Sequence, residues 1–124
     1  MDHDAIYQDA LALEDKGKHS DALVHYKALT ADSSDPRYHI AYGVCLQRLG
    51  LWSESIGPLT RGVELKPHYC LGDARLFLAE SLLRCGRKKD AVAQWRIVAV
   101  LEPEYPSYQE VPNEAKRMLE LHDA

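Results

Sequence analysis

Apolar residues recur along this chain at intervals of three and four, and glycine, proline and serine separate the runs they form. Ala5, Ile6, Ala10 and Leu13 make one stripe at helical spacing, and Ala22, Leu23, Tyr26 and Leu29 make a second. Between them Gly17 is placed to end a helix in the left-handed conformation, which a Cβ disfavours. Ser20 is a suitable N-cap for the next helix, with Asp21 at its positive end. Ser33, Ser34, Asp35 and Pro36 signal a loop, and Pro36 suits the first turn of the helix that follows. Tyr42, Gly43, Leu46 and Leu49 lead to Gly50; Ser53 then caps a helix whose Ile56, Leu59, Val63 and Leu65 face inward, until Pro67 ends it. Gly57 and Pro58 interrupt that helix near its fifth position, where the missing N–H predicts a kink or a loosened first turn. The segment His68 to Leu71 lengthens the next connection. A third pair follows from Gly72, with Leu78, Ala79 and Leu82 before Gly86 and Ala91, Trp95 and Val98 after it. Glu104 to Ser107 read as a loop, and Glu114 to His122 as a last helix with Ala115, Met118 and Leu119 on one face. The expectation is seven helices and no sheet.

The pairs are copies of one another. Gly17, Ala22 and Tyr26 match Gly50, Ser55 and Leu59, and these match Gly86, Ala91 and Trp95. The glycines stand 33 and 36 residues apart, a period that means stacked helical hairpins. Such a stack leaves an apolar face at its end, and the last helix, with Lys116, Arg117 and Glu120 on its outer side, is suited to cover it. The pattern resembles the tetratricopeptide repeat family over about residues 3 to 103. A family repeat has a small residue at its eighth position, Gly or Ala at its fifteenth, a small residue at its twentieth and Pro at its thirty-second. Gly43, Gly50, Ser55 and Pro67 fit in the second repeat, and Ala79, Gly86, Ala91 and Pro103 in the third. Ala10, Gly17 and Ala22 fit in the first, where Ser34 stands in place of the proline. Small residues let the helices of a hairpin approach, and Tyr26, Leu59 and Trp95 fill the space beside them. Asp9 departs from a position usually held by Leu. Gly62 departs from one usually held by Ala, at a cost to the helix of about 1 kcal/mol. The resemblance implies a single all-α domain over 1–124, a right-handed superhelical array of three hairpins at about 3–35, 36–67 and 72–103 with a capping segment at 104–124.

Length and composition agree with one domain: 124 residues, 46% apolar and 27% charged. No apolar run approaches the roughly 20 residues a membrane span needs, and the opening Met1, Asp2, His3, Asp4 carries no export signal. The formal charge of −4 weighs against a nucleic-acid partner. Cys45, Cys70 and Cys85 form no C-x-x-C pair, which fits a reducing, cytoplasmic setting without disulfides or structural zinc.

The resemblance also implies which residues line a concave groove. They are Tyr7, Leu11 and Glu14 from the first repeat, with Asp4 beside them, and Arg37, Ile40, Val44 and Gln47 from the second. Asp73, Leu76, Glu80 and Leu83 come from the third. Their apolar members would form an exposed strip of the kind that marks a binding surface. The competing reading is that some face the core, or that the C-terminal segment folds over the strip. One subgroup of the family grips a chaperone's C-terminal carboxylate with Lys and Asn; Tyr7, Leu11 and Ala41 stand where that clamp needs polar groups, so none is expected. Arg84, Arg87, Lys88, Lys89 and Arg96 cluster with only Asp90 opposing, and read as a solvated turn. The tail from Glu102, with six acids and two bases, reads as a solvated cap. Asp21 and His25 lie one turn apart, but none of the six histidines belongs to a metal-ligand motif. No phosphate loop, G-x-S-x-G elbow or catalytic constellation is present, so no cofactor, metal or enzymatic activity is expected.

The reading is a small interaction module that presents its groove to a peptide or protein segment, with room for weak self-association. Two rivals share the architecture. Chaperones for secreted translocator proteins also resemble three such repeats and are small and acidic. They usually carry an extra N-terminal dimerisation helix, and the start of the first repeat by about His3 counts against that class. An immunity protein that neutralises a toxin is the other, and no residue points to it.

Overall fold

The structure, a computed structural model, describes residues 1–67, 70–102 and 109–123. Among these residues it is entirely helical: α1 (His3–Asp15), α2 (His19–Asp32), α3 (Pro36–Arg48), α4 (Trp52–Glu64), α5 (Leu71–Arg84), α6 (Lys88–Ala99) and α7 (Glu110–His122). They pack as two compact units, Met1–Pro67 and His68–Ala124. In the first, α1 packs on α2, α2 on α3 and α3 on α4; in the second, α5 packs on α6, and both touch α7. The expected loop at Glu104 to Ser107, the repeat-ending Pro103 and the connection at His68 and Tyr69 lie outside the described residues.

One turn is used three times. Gly17, Gly50 and Gly86 have φ of 74°, 75° and 78°, where only glycine avoids strain. Each glycine N–H donates to the second-last helical carbonyl, at Glu14, Gln47 and Leu83. The next residue's N–H reaches back one further, from Lys18 to Leu13, Leu51 to Leu46 and Arg87 to Leu82, at 2.8–2.9 Å. This double closure satisfies carbonyls that the helix end would leave orphaned.

It also relocates the helix starts. Lys18, Leu51 and Arg87 each close one helix and cap the next, and their carbonyls accept from Ala22, Ser55 and Ala91. Ser20 and Ser53, expected as N-caps, therefore lie inside α2 and α4 and make no cap. With its start moved to Trp52, α4 runs unbroken to Glu64 through Pro58 at its seventh position. α1 and α3, which no such turn precedes, carry side-chain caps: Asp2 accepts from Ala5 N at 3.1 Å, and Asp35 from Arg37 N at 2.9 Å. α7 opens at Glu110 rather than Glu114 because Pro112 is tolerated in a first turn, where N–H groups have no intrahelical partner.

The repeated small–large pairs are all interior. Ala22 and Tyr26, Ser55 and Leu59, and Ala91 and Trp95 are at most 1% exposed. In the first unit Tyr26 sits among Ala10, Leu29, Tyr38 and Cys45. In the second α7 lies on α6, with Ala115 fully buried and the Trp95 indole stacked on His122 at 5.4 Å. Asp123 accepts from Arg96 at 2.8 Å.

Two glycines make the α3–α4 packing reciprocal. The space a Cβ on Gly43 would fill holds the Leu59 side chain, and a Cβ on Gly62 would stand 2.6 Å from Ile40 Cγ1. Gly62 is thus a socket for Ile40, which accounts for its place in a helix that would otherwise favour alanine. Helix propensity alone favours Gly62→Ala by about 1 kcal/mol. The forced contact is with a branch atom of a buried side chain, and overpacking of that kind costs about 1–3 kcal/mol. Gly62→Ala is therefore expected to lower the urea unfolding midpoint; a raised midpoint would show that the socket is dispensable.

Candidate functional site

The candidate residues lie on α1 and α3 in the first unit and, separately, on α5 in the second. On α1, Tyr7 and Leu11 are half-buried, with Tyr7 packed against the core. The Tyr7 ring lies 5.1 Å from that of Tyr38, and the Arg37 guanidinium sits 5.7 Å and 5.4 Å from the two ring centres. Arg37 also donates to Asp35 through Nε at 3.2 Å and Nη2 at 2.8 Å, with Asp4 at 3.7 Å. These hydrogen bonds hold the Asp35 carboxyl below the ordinary carboxylate range. Tyr7, Arg37 and Asp4 so form a stacked, charge-compensated end to the surface. Val44 and Gln47 on α3 are half-buried beyond it.

Two residues expected in the lining are placed elsewhere. Ile40 is only 9% exposed, seated on Gly62 of α4. On α3 it lies about 60° around the helix from Arg37, toward the face of Gly43 that meets α4. Glu14 has only 7% of its side chain exposed. Tyr26 Oη donates to its Oε2 at 2.5 Å, Arg48 Nη1 donates to Oε1 at 2.9 Å, and His19 Nδ1 meets Oε1 at 3.2 Å. Cys45 Sγ donates to the His19 carbonyl at 3.3 Å. This carboxylate joins α1, α2 and α3 and is committed to the fold.

Its titration follows from those partners. Burial alone raises the Glu14 pKa, but the hydrogen bonds from Tyr26, Arg48 and His19 and the charge of Arg48 outweigh it, so the group titrates below its usual 4.5. A carboxyl with a folded pKa below its unfolded value stabilises the fold at neutral pH, and that contribution is lost as pH falls below about 4.5 and through the folded value. Glu14→Gln should melt earlier than the natural protein at pH 7, and the gap should close toward pH 3. A gap independent of pH would show that Glu14 contributes no charge. Burial, and after it the charge of the same carboxylate, pushes the Cys45 thiol up to about 12.

In the second unit Leu76 and Leu83 are half-buried on α5, Asp73 is exposed, and Glu80 accepts from Arg84 at 3.3 Å. Phe77, the sole phenylalanine of the chain, is 38% exposed beside them. It falls one turn after Asp73 on the same face, a spacing visible in the sequence once α5 is in register.

The other candidates are local. Among the basic residues, Arg87 pairs with Asp90 at 2.8 Å, Arg84 with Glu80, and Arg96 with Asp123 at 2.8 Å, so three carboxylates oppose the cluster rather than Asp90 alone. His25 meets the carbonyl of Asp21, not its carboxylate, at 3.2 Å. No group of three metal-ligating side chains occurs among the described residues, and no described helix is long and apolar enough to cross a membrane.

The fold is similar to that of solved proteins of type III secretion. Three solved structures illustrate it, each 24% identical to this chain. SycD of Yersinia enterocolitica, in complex with a peptide of the translocator YopD, matches over 97% of this chain and 91% of its own, with a TM-score of 0.86. PcrH, of Pseudomonas aeruginosa, in complex with the chaperone-binding region of PopD, matches over 97% and 90%, also at 0.86. A type III secretion complex from Aeromonas hydrophila matches over 98% and 80%, at 0.87. At this identity the likeness establishes the fold, an all-helical array of TPR-like hairpins. The early start of the first repeat, which weighs against that class in the sequence, does not prevent a match over nearly the whole chain. No family model and no curated protein matches the sequence.

Proposed function

We propose that this protein is a chaperone of the translocator type, which holds a segment of a secreted client against the outward faces of its hairpins. The observation that carries the reading is the match to SycD and PcrH in peptide-bound form over 97% of the chain. The lining agrees with it: Tyr7, Leu11, Val44, Leu76, Phe77 and Leu83 are apolar and none is fully buried. The comparison favours this over an unspecialised interaction module. The three hairpins act as tetratricopeptide repeats, the two units work as one cytoplasmic domain, and binding involves no chemistry. SycD crystallises in alternative dimers, and self-association of this chain belongs to the same reading.

The test is a fluorescence-anisotropy titration of the purified protein with a labelled peptide spanning the chaperone-binding region of PopD. Saturable binding, weakened more than about tenfold by Leu11→Asp in a protein that still melts cooperatively, is the expected result. Equal binding by the natural protein and the variant would place recognition elsewhere.

A further inference from the structure

Helix α2 ends unlike the other described helices. In each of those the N–H of the C-cap residue reaches back to a carbonyl near the helix end. At α2 the C-cap Ser33 is extended, with φ −142° and ψ 143°, and no such closure forms. The carbonyls of Thr30, Ala31 and Asp32 therefore accept nothing from any described residue, although a helix end leaves them in need of donors. These three residues line a cleft of about 320 Å³, and its other walls include Ser34, His39 on α3 and Arg61 on α4. Two of those can donate. Ser34 has a partner for neither its N–H nor its hydroxyl among the described residues. Arg61 has one ion-pair partner among them, Glu64 at 3.7 Å, beyond hydrogen-bond reach. The remaining polar groups are committed. His39 donates through Nε2 to the Ser33 carbonyl at 3.0 Å, and Asp32 pairs with His3 at 2.7 Å. Arg61 is the charge in the cleft left unanswered.

We propose that this cleft binds an N-acylated amino acid group, a carboxylate one carbon away from an amide N–H. Arg61 and Ser34 take the carboxylate, and the open carbonyls of α2 accept the N–H. Such a group occurs free and at the C-terminus of a peptide chain. The cleft presents donors and acceptors together, and a ligand carrying both kinds of group satisfies them at once. A phosphate dianion would face the negative end of α2 and offer its carbonyls no donor. An ammonium alone would leave Arg61 unanswered. The guanidinium fork matches a carboxylate through two parallel hydrogen bonds, which makes the arginine selective as well as attractive. The cleft lies at the small end of the range for ligand sites, about 300–1,000 Å³, so it takes one such group and not a length of chain. None of its residues belongs to the face proposed for the client, and the inference is independent of that reading.

The experiment follows backbone amide shifts of the isotope-labelled protein as N-acetylalanine, N-acetylalaninamide or acetate is added. The second probe lacks the carboxylate and the third lacks the amide. N-acetylalanine should give saturable shifts at Ser33, Ser34 and His39 and bind at least about tenfold more tightly than either of the others, as loss of a charge-assisted hydrogen bond implies. In Arg61→Gln, shown by its melt to be folded, the advantage over the amide should vanish. N-acetyl-tetra-alanine with a free carboxyl group separates the two sources. Tighter binding than N-acetylalanine assigns the cleft to chain ends, and equal or weaker binding assigns it to the free acylated amino acid. Absence of saturable shifts at these residues, equal binding of acetate or of the amide, or undiminished binding by Arg61→Gln would overturn the proposal.

Discussion

Trp95→Ala is expected to lower the unfolding free energy by about 3–5 kcal/mol, the range for removing a fully buried large aromatic side chain. The indole is 1% exposed, and α6 packs against both α5 and α7. The buried residues of the same unit include Ala79, Ala91 and Ala115, all fully buried and too small to fill the space an indole would vacate. The indole also supports α7 directly, through the near-parallel stack on His122 at an interplanar angle of 22°. Alanine would leave a cavity and remove the surface on which the last helix sits. Urea denaturation measures the effect, and a change under about 1 kcal/mol would mean that the indole is not the keystone of the second unit.

The next largest effect separates core from lining on a single helix. Ile40→Asp is expected to unfold the first unit. It puts a carboxylate in the buried socket at Gly62, at a cost of several kcal/mol. Val44→Asp, one turn further along α3, should keep the fold, because the side chain is already partly solvated. It should instead weaken peptide binding, by putting charge on an apolar contact. Circular dichroism melts of the two variants, with peptide titration of the second, check both halves. Two variants that melt alike would erase the distinction drawn here between Ile40 and Val44.

That distinction shows what the residues could and could not reveal before the fold was in hand. The hairpin period was legible because it rests on backbone geometry: three glycines in left-handed turns, each followed at fixed spacing by a small and then a large buried residue. The caps at Ser20 and Ser53 were misplaced for a reason equally local. In these turns one residue closes a helix and opens the next, leaving no loop for a serine to occupy. Lining residues were harder, because family positions give a face only to within about one residue's rotation. Ile40 sits at the edge of its face, and a glycine on the facing helix draws it inward. Glu14 occupies a surface position by spacing, yet His19 and Tyr26 from α2 and Arg48 from α3 converge on it. No linear pattern signals that convergence. Phe77 was missed because it lies beside, rather than on, the transferred positions.

The most direct test of the account is an NMR titration that follows backbone amide shifts as the peptide of the PopD chaperone-binding region is added to the isotope-labelled protein. The account predicts saturating shifts at Tyr7, Leu11, Val44, Gln47, Leu76 and Phe77, with Val24 on α2 and Ile97 on α6 unmoved. No shifts at saturating peptide, or shifts centred on Val24, Ile97 or the turn from Arg87 to Lys89, would contradict it.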